Sequence, residues 1–598
     1  MPTANRNTEA SRRVSGDSKQ NHILRITMYQ FLVKEGSVRI PIALRCGSVI
    51  FDGGDDDDMC LQTRESRRSW EKAFCSEILV LVITHFDENL QNTSRLLMED
   101  ERLEASHLKN LVGILNRGYN PSLAWVTQEP FAFWQDKDLY KSINDLSITE
   151  DDISKAIQMN DTIDPCRVTT LTNKIFRGEP IKMIVIGGSN SAGGGVENHR
   201  RLYHQLFSQW WERTISPTTG SKLTVENMSL GGTGSDFFTF CLQNFISTDD
   251  EPDLVFIELS VNDYGCIYGA TAQPMELLTR RVLSLKSFPL VLYVSLVDLV
   301  KKGASLSSIK NPRCHNLEDL GQGELATHYG ITLLSWRDIL CPVNPANGIR
   351  KAFIRPGMVN DDHLHIDIKG HAQVALIQIR YFQSILLRTS QQLFCERSSL
   401  KDPLFASSSM LVTNPRCWAS TNPRWGKSNV HQSLDVKVNK KRRFSELPLK
   451  SIKAKMGSPS DRRTDAFGGW VSLRQGSFIE FSFQVPPKKW SVGIVLRRMR
   501  QNSGRLLLWL DKDKKNAVGI IGRAFGSVHF QTRVYFVAPQ VSQGRHNISL
   551  ESQGNKAISV LINGIVLGPA GIDEFEGYKP TGTLEKVWSL EDYKKFRI

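Results

Sequence analysis

Between about residues 180 and 387, short apolar runs (KMIVIGG, LTVENMSL, DLVFIELS, PLVLYVSL and ITLLSW) alternate with longer amphipathic stretches. Runs that are apolar at nearly every position suit strands covered on both faces, and their alternation with helical patterns predicts βαβ units around a parallel sheet. The helical pattern falls over 197–214, 236–246, 274–287, 317–329 and 368–387. The expected fold class is therefore α/β, a three-layer α/β/α flavodoxin-like parallel sheet over 176–390. From Phe467 the period changes. GWVSLR, SFIEFSF, WSVGIVLRR, GRLLLWL, AVGIIG, VHFQTRVYFV, HNISLES and AISVLING are short alternating segments separated by turn residues. They predict an all-β sandwich domain over 466–575.

Elsewhere the pattern is weaker. Residues 1–22 are polar and expected to be disordered. The N-terminal region 23–175 reads as mixed or helical, with an acidic break, FDGGDDDDM, at 51–59. Its best element is a helix over 94–115, where Leu96, Leu97, Leu103, Leu108, Leu111 and Leu115 recur at helical spacing. Residues 391–465, rich in Ser, Pro, Lys and Arg, read as a basic linker, and 576–598 as a C-terminal tail. Asp55 to Asp58 suit a solvated loop, because a calcium loop would alternate its ligands and end in a bidentate Glu. KKRR at 440–443 suits a linker better than a nuclear-localisation tract.

Composition sets bounds on function. A chain of 598 residues exceeds what one core organises, and 40% apolar with 23% charged residues indicates folded domains joined by polar connections. Much of the excess behind the net charge of +13 lies between His431 and Arg463, where a basic linker accounts for it. With no zinc-finger spacing, aromatic RNA-binding signature or helix-turn-helix pattern, nucleic acid is not an expected partner. The N-terminal stretch is polar where a signal peptide needs an apolar core, and no run approaches a membrane span. The chain as written thus reads as soluble, with no transmembrane segment and no signal peptide; the secretory pathway stays open should the true N-terminus differ. Ten scattered cysteines leave disulfides and compartment undecided. Sequons at Asn92, Asn160, Asn227 and Asn547 permit glycosylation, although Asn227 falls inside a motif and is expected to be unmodified. Oligomeric state is not legible.

The chemistry begins at IVIGGSNSAGGG, residues 184–195, where a buried strand ends in small residues before a polar loop and a helix. A serine there stands at the carboxyl edge of a parallel sheet and near a helix N-terminus, which favours developing negative charge. Ser189 is placed to act as a nucleophile. A phosphate cradle would need a Walker Lys-Ser/Thr ending or G-x-G-x-x-G spacing, and neither is present. NMSLGGTGS (227–235), ELSVND (258–263) and DDHLHIDIKGH (361–371) follow, each beside a predicted strand end or helix start. Acyl transfer through serine needs a base, an orienting carboxylate and donors to an oxyanion, and these segments supply all of them.

Taken in order, these blocks resemble those of the SGNH/GDSL hydrolase family, over about 181–387 or a third of the chain. GGSNSAG resembles the family's GDSLSAG block, with Ser189 at the nucleophile position and Gly188 where the family usually has Asp. NMSLGG puts Gly232 at the backbone oxyanion donor. SVND resembles GxND, with Asn262 as side-chain donor and Ser260 in place of Gly. DHLH matches D-x-x-H, giving Asp362 as orienting carboxylate and His365 as base, and leaving His363 and His371 as surface or helix-packing residues. The two departures remove no catalytic group, but substrate specificity does not carry over. The resemblance implies a serine hydrolase of carboxylic esters with a Ser-Asp-His triad and a Ser/Gly/Asn oxyanion hole, requiring no cofactor and no metal. A sandwich after the catalytic domain and the lack of a long apolar lid point to short acyl esters, acetyl groups on carbohydrate, with the sandwich as a glycan-binding module. An O-acyltransferase using the same site and a non-catalytic glycan-binding protein are the alternatives.

Overall fold

A computed structural model describes residues 148–158, 164–196, 198–246, 251–263, 272–297, 317–340, 365–389, 397, 399–405, 415–421, 431–447, 468–472, 476–499, 505–521, 530–553, 560–571 and 588–589. Residues 1–22, the acidic break, the helix expected over 94–115, the sequons at Asn92 and Asn160, and both Asp362 and His363 lie outside them.

The α/β part runs α1 (Glu150–Ala156), β1 (Ile157–Gln158), α2 (Pro165–Phe176), β2 (Ile181–Gly187), the one-turn α3 (Ser189–Ala192), α4 (Tyr203–Thr219), β3 (Leu223–Asn227), α5 (Ser235–Cys241), β4 (Leu254–Glu258), the one-turn α6 (Ser260–Asp263), α7 (Gln273–Leu283), β5 (Leu290–Ser295), α8 (Gln322–Tyr329), β6 (Thr332–Ser335), α9 (Trp336–Leu340) and α10 (Ile368–Thr389). The strands order as β1-β6-β5-β4-β2-β3. All pairs are parallel except β1 on β6 at the edge. The parallel strands alone, counted along the chain, give the doubly wound 2-1-3-4-5 order, whose switch point lies between β2 and β4.

Strand alternation explains the continuous apolar runs. Met183 and Val185, Leu254 and Phe256, and Leu292 and Val294 point to one face, where Phe207, Trp210 and Trp211 of α4 and Phe382 of α10 pack on them. Ile184 and Ile186, Val255 and Ile257, and Val291 and Tyr293 point to the other, under Phe237 and Phe238 of α5 and Met275 and Leu278 of α7. Each such side chain contributes about 1.5–3 kcal/mol on full burial, so a one-residue slip of register would move every one of them to the wrong layer. Ile153 and Ala156 of α1 and Leu171 and Ile175 of α2 join the first of these cores, so the layered unit starts before residue 176. The helix expected from 197 begins at Tyr203, after a 3-10 turn capped by Asn198, and the one expected over 317–329 is divided at Gly321.

The C-terminal strands are β7 (Arg416–Ala419), β8 (Val436–Arg442), β9 (Ser445–Leu447), β10 (Gly469–Ser472), β11 (Phe478–Val485), β12 (Trp490–Met499), β13 (Arg505–Leu510), β14 (Val518–Ile521), β15 (Phe530–Val541), β16 (Gly544–Gln553), β17 (Val560–Pro569) and β18 (Trp588–Ser589). They form two sheets, β15-β12-β17-β10-β9 with β7 on β17, and β18-β14-β13-β16-β11-β8. Between them lie Ile479, Phe481, Phe483, Ile494, Leu496, Leu508, Ile548, Leu550 and Ile565, the core of a β-sandwich. The stretch expected to be a linker supplies β7, β8 and β9. In β8, Val436 and Val438 pack on the sandwich core while Lys437, Lys440 and Lys441 are exposed, and the strand lies at a sheet edge. A charged edge strand blocks pairing with other chains, and its composition imitates a linker.

The two parts share a core. Cys417, Ala419, Val471, Val495, Val534, Leu561 and Val566 of the sandwich belong to the same buried cluster as Phe237 and Phe240 of α5. The Cys241–Cys417 disulfide joins α5 to β7 across a sequence separation of 176, a constraint on the unfolded chain worth on the order of 4 kcal/mol. Among the described residues, no helix is long and apolar enough to cross a membrane.

Candidate active site

Ser189 follows β2 after one residue, Gly188, at the carboxyl edge of the sheet, beside the switch point, and is the first residue of α3. Gly188 is the helix N-cap, and the turn closes with Ala192 N–H on the Gly188 carbonyl at 3.0 Å and Gly194 N–H on the Ser189 carbonyl at 2.7 Å. Ser189 is half-buried, whereas Asn190, Ser191 and Ala192 are buried, so the turn offers the serine and hides its neighbours.

Segments from other strand ends converge on this turn. α6, just past β4, carries Asn262, which is 4% exposed. The Asn262 amide lies against Gly188 so closely that a Cβ there would come within 1.9 Å of Oδ1 and 2.8 Å of Nδ2. Ser260 joins the ends of β4 and β5, because its hydroxyl donates to the Leu296 carbonyl at 3.1 Å and accepts from Leu296 N–H at 2.9 Å. His365 comes from the segment before α10. A Cβ at Gly194 would lie 2.7 Å from its Cδ2, 2.8 Å from its Nε2 and 3.0 Å from the Ser189 carbonyl oxygen, so the imidazole rests on the turn that carries Ser189. Asn190 Oδ1 holds that segment by accepting from Ile366 N–H at 2.8 Å. Gly232, past β3, lies in the loop leading to α5, where Ser235 N–H donates to Asp263 Oδ1 at 2.9 Å and ties this loop to α6. Ser189, Gly232, Asn262 and His365 thus stand on three strand ends and one helix start along a single edge.

Under the turn lies a buried polar layer. Glu258, fully buried at the end of β4, accepts from Ser191 Oγ at 2.7 Å and from Gly188 N–H at 3.3 Å. The Tyr203 hydroxyl shares a 2.7 Å hydrogen bond with Ser191 Oγ. Asn227 Nδ2 donates to the Ser191 carbonyl at 2.7 Å, which engages the sequon amide in the fold. Burial pushes the Glu258 carboxyl up to about 7 against the opposing hydrogen bonds, and burial likewise raises Asp263 to about 7. His371, fully buried in α10, accepts from Tyr203 N–H at 3.3 Å, and burial lowers it to about 3, so it is a neutral packing residue.

A pH dependence follows. Glu258 holds its proton more tightly folded than unfolded, so its contribution to stability is full below about pH 4.5 and is lost as pH rises to about 7. Its share is up to about 3 kcal/mol, at about 1.4 kcal/mol per unit. Glu258→Gln keeps an acceptor for Ser191 and Gly188, and is expected to flatten the fall of Tm between pH 5 and 7 and to raise Tm at pH 8 relative to wild type. Thermal melts across that range check it; an unchanged slope would move the proton uptake elsewhere, Asp263 being the next group.

Asp362 lies outside the described residues. The sequence reading did not single out Glu258, Asn190 or Asp263 as individual residues, although a lone carboxyl closing the apolar run of β4 was a visible signal for Glu258. Among the described residues, no group of three or more His, Cys, Asp or Glu side chains could hold a metal ion.

No family model matches the chain, and no curated protein matches it. Among solved structures it is similar to a two-domain esterase (CEX) active on acetylated mannans, at 20% identity over 71% of this chain and 99% of that one, with a TM-score of 0.49. It is also similar to the lipase/acylhydrolase from Enterococcus faecalis (15% identity, 34% of this chain, 96% of that one, TM-score 0.24) and to the C-terminal CBM6 of LamC, a marine laminarinase from Zobellia galactanivorans (15% identity, 22% and 99%, TM-score 0.16). By its own sheet order and the strand ends that carry its motif blocks, the chain has the three-layer α/β/α fold of the SGNH/GDSL-type hydrolases, followed by a β-sandwich.

Proposed function

We propose that this protein is a serine hydrolase of the SGNH/GDSL type that cleaves short acyl esters, acetyl groups on carbohydrate above all. The observation that carries the reading is convergence: the Asn262 amide and the His365 imidazole, from separate segments, close on Gly188 and Gly194 at the two ends of the turn that begins with Ser189. His365 takes the hydroxyl proton as Ser189 Oγ attacks the ester carbonyl. The N–H groups of Ser189 and Gly232 and the Asn262 amide receive the oxyanion; its collapse expels the alcohol, protonated by His365, and water then releases the acid by the same steps. Asp362 is assigned to His365 on the D-x-x-H spacing and holds the imidazole in its useful tautomer.

The substrate class rests on architecture. A sandwich packed on the catalytic layer by a common core suits glycan esters, and the Cys241–Cys417 disulfide suits an oxidising compartment, where extracellular carbohydrate is met. The test is a fluorophosphonate probe on wild type and Ser189→Ala, read by intact mass, followed by hydrolysis of p-nitrophenyl acetate and acetylated oligosaccharides. An adduct on wild type alone, with acetate released faster than long acyl chains, is the expected result. Absence of adduct from both folded proteins would remove the nucleophile, and faster cleavage of long chains would remove the acetyl preference.

A further inference from the structure

The sandwich touches the candidate active site at the oxyanion loop. Strand alternation in β12 sends Ile494 and Leu496 into the sandwich core, and Val495 and Arg497 toward the α/β layer. Arg497 is 2% exposed, and its Nη1 donates to the Gly231 carbonyl at 2.8 Å and to Thr532 Oγ1 at 2.9 Å. Among the described strands, β15 stands at the end of its sheet, next to β12. On its other edge Thr532 N–H donates to the Gly232 carbonyl at 2.8 Å and Val534 N–H to Asp236 Oδ2 at 3.0 Å, and Thr233 bridges Thr532 in parallel. Both carbonyls that bracket the Gly232 N–H are therefore held by the sandwich. Arg533, also buried, lies close enough to act on the carboxyls of Asp236 and Asp263, each pushed up by burial and drawn back by its charge.

We propose that the β-sandwich is a working part of the catalytic centre, with Arg497 as a positioning residue that aims the Gly232 N–H at the oxyanion. The inference rests on the assignment of Gly232 as an oxyanion donor. The Gly231 carbonyl and the Gly232 N–H belong to one trans peptide unit and point in opposite directions, so fixing the carbonyl from behind aims the N–H. A buried cation on the carbonyl also polarises that peptide and strengthens its N–H as a donor, an effect enlarged by the low local dielectric. Gly232 has φ +65°, so the loop has a special backbone conformation that these bonds maintain. Catalysis thus depends on a side chain 266 residues along the chain from the peptide it holds.

The test uses the full chain: kcat and KM on p-nitrophenyl acetate, and the affinity for phenylboronic acid, which forms a tetrahedral adduct on the serine. Arg497→Met is expected to lower kcat about 10- to 100-fold, part of the loss known for removal of an oxyanion donor. KM should hold, and boronate affinity should weaken by a similar factor. Arg497→Lys, which keeps a charged donor, should recover most of the loss. Asn244→Ala, which cuts a comparable interdomain tie to Cys417 and Ser433 near the far end of α5, should leave kcat alone. If Arg497→Met does not fold, Thr532→Val removes the hydroxyl that steadies Arg497, keeps the backbone bond to Gly232, and should cost severalfold in kcat. Wild-type kcat in these variants, an equal loss in Asn244→Ala, or unmoved boronate affinity overturns the inference. Ser189→Ala run in parallel separates the two readings: activity surviving there defeats the hydrolase assignment, whereas activity lost there but intact in Arg497→Met defeats only the role of Arg497.

Discussion

His365→Ala is expected to lower kcat by about 10⁴-fold or more, the loss typical of removing a triad base, and to leave KM for a small ester close to wild type if His365 is the base proposed above. The position of the ring is the cause. The imidazole lies on Gly194, within 3 Å of where a Cβ would stand, and its backbone is anchored one residue on by Asn190 Oδ1, so a change at Asn190 or Gly194 would displace the same base. An alcohol is almost wholly protonated at neutral pH, so without a base the Ser189 hydroxyl attacks only at its feeble intrinsic rate. KM holds because the ring meets the reacting proton and not the bulk of the substrate. The neighbouring histidines are the controls. His371 is buried and hydrogen-bonded to Tyr203 N–H, so His371→Ala costs stability with turnover per folded molecule retained. His363→Ala is expected to keep turnover. Steady-state kinetics on the three variants decide the matter: normal kcat in His365→Ala with loss in His363→Ala moves the base to His363.

What was legible in the sequence, and what was not, follows from the range of each interaction. β2, β4 and β5 were plain because burial on both faces makes every position apolar. The placement of Ser189, Gly232, Asn262 and His365 at strand ends or a helix start was legible because each falls within a short block of turn residues, and their chemical roles belong to the proposed function. Within the region read as mixed or helical, α1, β1 and α2 were not separated out because polar side chains such as Asp152, Arg167, Thr169 and Thr172 occupy buried positions, and β1 is two residues long. β8 escaped because an edge strand with exposed lysines has the composition of a linker. The partners of the site were hidden for a further reason. Glu258 and Ser191 are 67 residues apart, and Arg497 and Gly231 266 apart, and nothing local in either member of a pair announces the other.

Asn262→Ala is expected to lower kcat by about 10²- to 10³-fold, the usual cost of one oxyanion donor, and Gly188→Ala to do nearly the same without touching the amide chemically. At Gly188 an added methyl would stand 1.9 Å from Asn262 Oδ1 and 2.5 Å from Cγ, far inside contact distance, and the nearest atoms on that side are the amide itself. The amide must turn away for the methyl to fit, so both substitutions remove the same donor by different routes. The double variant should therefore be little worse than either single one, since two changes that abolish one interaction are not additive. Kinetics on the three proteins, with melts to normalise for folded fraction, provide the check; wild-type kcat in Gly188→Ala, or losses that multiply in the double variant, would separate the glycine from the amide. Gly188→Asp would restore the usual residue and is expected to be at least as damaging as Gly188→Ala, because the carboxylate has no room while Asn262 is there. In this structure an acidic group under the turn comes from β4, where Glu258 Oε2 accepts from Gly188 N–H at 3.3 Å.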